Sequence, residues 1–158
     1  SDKHYTAYIY GRDGDYRAFA ALEEQAEPAA GQALLRVFNT APDAGALDVY
    51  LTDSDAPLDD AVPAVPNVAG ATLSFYNRVD RGTWRLRVTG HDDPDDVRLD
   101  LPAFDLADKA RLTLVLQPGS GGVLVHALVS QYQGALTAMK NTQARVRLAA
   151  GAASGRSI

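Results

Sequence analysis

Four aspartates crowd into five residues, Asp92-Asp93-Pro94-Asp95-Asp96, directly after Gly90-His91. Carboxylate oxygens are hard ligands, and such a cluster could hold calcium. The spacing is not that of an EF-hand loop, which alternates its ligands and ends in glutamate. Like charges this close also repel, and water at a loop tip relieves that repulsion cheaply. The segment therefore reads as an acidic, metal-free turn, with Asp92, Asp93, Asp95 and Asp96 as the candidates should a metal bind. Asp53, Asp55, Asp59 and Asp60 form a second cluster that reads the same way. His4, His91 and His126 lack partners at zinc-like spacing. No Gly-x-Ser-x-Gly elbow is present, and Gly119-Ser120-Gly121-Gly122 joins two strand-like runs, so it reads as a hairpin and not a phosphate loop. No catalytic residue and no cofactor are assigned; the chain is expected not to be an enzyme.

Aromatic residues offer a different chemistry. Tyr5, Tyr8, Tyr10 and Tyr16 gather near the start, with Tyr50, Tyr76 and Tyr132 further on. Exposed rings on a flat sheet can stack on sugars, although tyrosine is also a good strand former. Trp84 shares the parity of Leu86 and Val88, so it is expected at the centre of the core. Around it the alternation predicts Leu35, Val37, Leu47, Val49, Phe75, Leu86, Leu99, Leu112 and Leu114.

The elements that carry these residues are strands. Apolar and polar residues alternate with period two through Leu47–Leu51, Trp84–Val88, Val97–Leu101, Leu112–Leu116 and Ala144–Leu148. Seventeen aspartates against three glutamates favour turns over helix interiors. Turn signals such as Gly11-Arg12-Asp13-Gly14 and Asp80-Arg81-Gly82 separate the runs. Strands are expected near 5–10, 16–22, 33–39, 46–52, 71–77, 83–89, 97–101, 111–117, 122–130 and 143–149. Three prolines in 53–70 argue for a long connection crossing between sheets. Short helical turns are expected only near 103–108 and 136–140. The fold class is all-β: an antiparallel two-sheet sandwich of immunoglobulin-like or related topology.

Composition removes several functions. With no cysteine there are no disulfides and no thiol chemistry. A net charge of −5 disfavours nucleic acid, and no apolar run is long enough to cross a bilayer as a helix.

The stretch Leu35-Arg36-Val37-Phe38-Asn39-Thr40-Ala41-Pro42-Asp43-Ala44-Gly45-Ala46-Leu47-Asp48-Val49-Tyr50-Leu51 resembles the opening signature of the DUF4397 family. Arg81–Val88 and Leu112–Leu116 resemble later strands of that family. The likeness covers about 33–133, and the fairly specific part is the motif loop Asn39, Pro42, Asp43, Gly45 and Asp48. Their physical reading is punctuation: Asn39 closes a strand, Pro42-Asp43 opens a tight turn, Gly45 allows positive φ, and Asp48 faces out or bonds the loop. Members of the family are common in exported or lipid-anchored bacterial proteins, often in tandem, with no established activity. The resemblance thus implies a periplasmic, cell-surface or extracellular setting.

A repeat completes the picture. Gln32–Val37 recurs in outline as Gln143–Leu148, an offset of 111 residues, and Tyr5–Leu22 recurs around Leu112–Leu128 at an offset of 107. Residues 1–31 read as the hairpin ending one unit, 32–142 as a complete domain, and 143–158 as the start of a further unit. The expected role is a non-enzymatic envelope or surface module acting as a structural or interaction domain. The alternative is a ligand-binding module for glycan or calcium. Partners would be proteins or surface glycans, or further copies joined through edge strands. The 143–149 strand is expected to pair with the 5–22 hairpin.

Overall fold

The computed structural model describes residues 3–119 and 123–142. Among them the chain is nearly all strand: β1 (Tyr5–Arg12), β2 (Asp15–Leu22), β3 (Gln32–Asn39), β4 (Leu47–Thr52), β5 (Val65–Val68), β6 (Thr72–Leu73), β7 (Asn77–Asp80), β8 (Gly82–Gly90), β9 (Asp93–Leu106), β10 (Arg111–Pro118), β11 (Val125–Gln131) and β12 (Leu136–Met139). A single 3-10 turn, Pro42–Ala44, is the helical element of the described residues.

The strands form three sheets. One has the order β5-β4-β8-β9, one runs β12-β11-β10-β3 with β6 and β7 both on β3, and β1-β2 stands as a ribbon. The expected strand 143–149 and residues 120–122 of the glycine-rich hairpin turn lie outside the described residues. The expectation of a wholly antiparallel protein needs one correction: β3 and β10 pair in parallel, Leu35 opposite Leu112 and Val37 opposite Leu114. No tight turn joins these two strands, so nothing local imposes an antiparallel direction.

Alternation identifies most of the core. Leu35, Val37, Leu47, Val49, Leu86, Leu99 and Leu114 are fully buried, and Leu112 nearly so. They belong to one apolar cluster fed by both larger sheets. Two members were misplaced by the sequence. Phe75 is 93% exposed, because it lies between β6 and β7 and belongs to neither strand. Trp84 is half-buried at the margin of the cluster, its indole N–H donating to the Asp80 carbonyl at 3.1 Å. The bulkiest buried side chains are instead Phe38 and Phe104.

Both predicted helical turns are strands. Residues 103–106 continue β9, and 136–139 form β12 along β11. Sheet pairing overrides the local preference in each case. The proline-rich connection does cross between sheets, but it first lays down β5 at the edge beside β4. Pro66 is tolerated there because an edge strand can spare a donor.

The ribbon β1-β2 turns through Asp13-Gly14, and Gly11 precedes the turn at φ 132°. A Cβ on Gly11 would sit 2.1 Å from the Asp15 carbonyl oxygen, so only glycine fits. The inner face of the ribbon packs on β3. The rings of Tyr8, Tyr10 and Phe19 surround Phe38 with centroids 5.3, 5.1 and 5.4 Å away. This cover explains why β3 is buried on both faces.

Candidate functional site

The motif loop is built around two buried polar side chains. Asn39 ends β3 with no solvent exposure. Its amide donates to the carbonyls of Gly45 at 2.9 Å and Val68 at 3.0 Å, while its oxygen accepts the Ala41 N–H at 3.0 Å. One side chain thereby ties the loop to itself and to β5. Pro42 opens the 3-10 turn, and Gly45 leaves it at φ 71° with its N–H donating to the Pro42 carbonyl. The Arg98 guanidinium donates to the Ala44 carbonyl from the other sheet and also grips Asp96. Burial pulls the Arg98 pKa down, with nearby Asp93 opposing that.

Asp48 is the second buried group, 2% exposed on β4. Its carboxylate accepts the N–H of Asn67 at 2.7 Å and of Asp92 at 3.0 Å, and faces His91 Nδ1 at 3.0 Å. Burial works against the charge, but these donors outweigh it and hold the carboxyl below the usual carboxylate range. Asp48 thus neither faces out nor bonds the motif loop; it ties β5, through Asn67, to the His91-Asp92 turn.

The acidic run is a strand and not a loop. β8 turns to β9 through His91-Asp92 alone, with Asp92 at φ 58°. Asp93, Pro94, Asp95 and Asp96 open β9, the edge strand of its sheet. Asp96 is paired with Arg98. Among the described residues, one group of potential metal ligands comes together: Asp48, His91 and Asp92, their atoms within 4.8 Å of one another. Of the four sequence candidates only Asp92 belongs to it. Asp48 already spends its oxygens on main-chain donors. Asp53, Asp55, Asp59 and Asp60 stay exposed on a bend held by Arg85 on Ser54 and Arg87 on Ala56. His4 is exposed, and His126 accepts the Asn141 N–H at 2.9 Å.

Next to the motif loop a cleft of about 430 Å³ opens between the ribbon and the sheet. Tyr10, Arg12 and Tyr16 line it from the ribbon, Pro42 and Asp43 from the motif loop, and Gln117 from β10. Arg12 pairs with Asp43 across the cleft. Two rings beside hydrogen-bonding charges can take a small polar ring.

The sequence reading missed a buried ion pair. Glu23 and Arg36 meet under the ribbon, their side chains 5% and 4% exposed. Arg36 also donates to Thr113 at 2.9 Å and lies 4.4 Å from the Tyr76 ring. Tyr76 donates to Glu23 at 3.0 Å, and its burial pushes its pKa up to about 12. Arg36 alternates with Leu35 and Val37, and that parity carries no sign of the ribbon that covers it.

This arrangement defines the chain as an all-β protein whose polar signature holds a loop. Residues 1–50 match the model of DUF4397, a domain of unknown function, the family that the motif loop resembles. The match runs through the ribbon and the signature block in one stretch. No curated protein matches the chain. Among the described residues, no helix is long and apolar enough to cross a membrane.

Proposed function

We propose that the protein is a non-enzymatic interaction module of the bacterial envelope or cell surface, built as an immunoglobulin-like sandwich with a ribbon on one face. The observation that carries this reading is the outer face of the ribbon. The cross-strand pairs Tyr5 with Leu22, Ala7 with Ala20, Ile9 with Ala18 and Gly11 with Tyr16 bring no charge or amide to that face. Tyr5, Ile9 and Tyr16 are 59%, 77% and 65% exposed. A contiguous apolar face of this kind marks an interaction surface. The non-enzymatic part rests on Asn39 and Asp48, whose polar atoms are engaged by main-chain groups. The test is association measured by light scattering against concentration. The wild-type chain is expected to associate and Ile9→Lys to stay monomeric; identical monomers at all concentrations would overturn the reading.

The cleft favours glycan binding as a second reading, because Tyr10, Tyr16 and the paired Arg12 and Asp43 are among the residues that line it. Titration with short oligosaccharides would then show saturable binding lost in Tyr16→Ala. Calcium has less support. Millimolar calcium is expected to leave the melting temperature unchanged, since a ligand that does not bind the folded state cannot stabilise it.

A further inference from the structure

The residues of the motif loop do not share one role. Asn39 and Asp48 engage main-chain groups, and Pro42 and Gly45 shape the 3-10 turn. Asp43 does none of this. Its side chain is 69% exposed, and its partner among the described residues is Arg12, which reaches it from the ribbon. Loop building therefore leaves one carboxylate unexplained, and that carboxylate lines the cleft.

The charges of the cleft select the kind of ligand it fits. Among the described residues its lining holds two cations, Arg12 and Arg17, and two anions, Asp15 and Asp43. Each cation faces one of the anions: Arg12 pairs with Asp43, and Arg17 lies 3.6 Å from Asp15. These charges cancel, so the lining favours neither an acid nor an amine. The chain as a whole carries −5, which gives an anion no steering toward it. A neutral ligand fits best. The rings add to this. Tyr16 is 65% exposed, and its hydroxyl donates to Asp13 at 2.8 Å, so the ring is both held and accessible. Tyr10 is set edge-on against Phe38, with centroids 5.1 Å apart. Rings fixed in advance lower the ordering cost of binding.

We propose that the cleft binds a neutral pyranose sugar, and that Arg12 and Asp43 together read two adjacent hydroxyls on its ring. The proposal rests on the glycan reading above and names the sugar class and the residues that select it. The pair suits a vicinal diol because its two ends are complementary. A guanidinium only donates, a carboxylate only accepts, and a hydroxyl does both. One hydroxyl can donate to Asp43 while its neighbour accepts from Arg12, and the ion pair persists beside them. Both side chains are largely in water, where such a pair contributes little, so either can shift toward a ligand at small cost. Hydrogen bonds to charged groups are also stronger than those between neutral groups. The apolar face of the sugar ring lies on tyrosine. The cleft volume of about 430 Å³ falls within the roughly 300–1,000 Å³ of small-ligand sites.

The probes are the methyl glycosides of glucose, mannose and galactose, each with its 3-deoxy analogue and its uronic acid. Removing the 3-hydroxyl keeps the ring but leaves no two adjacent hydroxyls on it. In NMR titrations of the full chain, at least one neutral glycoside is expected to bind saturably. Its 3-deoxy analogue should bind about tenfold more weakly or not at all, and its uronic acid no more tightly than the parent. Arg12→Gln and Asp43→Asn should each weaken the parent sugar about tenfold and abolish the discrimination against the 3-deoxy analogue. Both variants should melt as the wild type does, because the pair is exposed. An analogue bound as well as its parent, a uronic acid bound more tightly, or variants that still discriminate as the wild type does would overturn the proposal. Binding that is lost in Tyr16→Ala but ignores the 3-hydroxyl and both variants would leave the glycan reading standing and the diol selection refuted. Saturable binding of none of the sugars would refute both.

Discussion

Glu23 and Arg36 show how far one residue's role depends on what lies above it. Each is buried, and each holds the other's charge away from an apolar surrounding. Removing one partner strands the other, which costs more than the pair contributes in isolation. Glu23→Ala is therefore expected to destabilise the chain by about 3–5 kcal/mol, and Glu23→Ala with Arg36→Met to recover much of that in urea melts. A double variant no more stable than the single would refute the account. Asp48 makes a pH-dependent prediction. Its folded-state pKa is depressed, so its contribution is present above the unfolded value near 3.8 and fades as pH falls through the folded value. Asp48→Asn should cost about 2 kcal/mol at neutral pH, with the gap to wild type closing in acid. A gap that does not change with pH would show that the charge is not what holds the turns.

The strands explain which residues the sequence could place. Alternation assigns parity, and parity correctly sent Leu35, Val37, Leu47, Val49, Leu86 and Leu99 to the core. It says nothing of whether the other face is wet. Phe38 and Arg36 share the outward parity of β3 and are buried only because the ribbon lies on them. Nor does parity show where a strand stops packing. Trp84 has the right parity but lies near the start of β8, beyond the middle of the cluster, and Phe75 lies outside any strand. The signature loop was legible as a turn, yet its partner Val68 was not, because β5 hides among prolines. These placements set an order of costs. Phe38→Ala should cost about 3–5 kcal/mol, and Trp84→Ala roughly 1–2, since a half-buried side chain leaves a smaller cavity. Equal melting shifts for the two variants would contradict that order.

At the scale of the whole molecule, the ribbon is a separate layer. None of the residues in the central apolar cluster comes from residues 1–31. The ribbon is held by the Phe38 contacts, the Glu23–Arg36 pair and the Arg12–Asp43 pair. Arg12 and Asp43 are largely exposed, and pairs of that kind contribute little. Deleting residues 1–27 is expected to leave a cooperatively folding unit, because the loop that carries the Gly31 N–H to Asp108 and the Gly31 carbonyl to Arg81 remains. The deletion exposes Phe38 to water, which alone costs roughly 2–3 kcal/mol for a large side chain. It also returns Arg36 to solvent, so that charge is rehydrated and not stranded. The truncated chain should thus lose less stability than Glu23→Ala in the full chain, although it lacks far more contacts. Thermal melts of the two, side by side, test this. A truncation that unfolds outright, or falls well below Glu23→Ala, would mean that the ribbon belongs to the same cooperative core and is not a layer docked upon it.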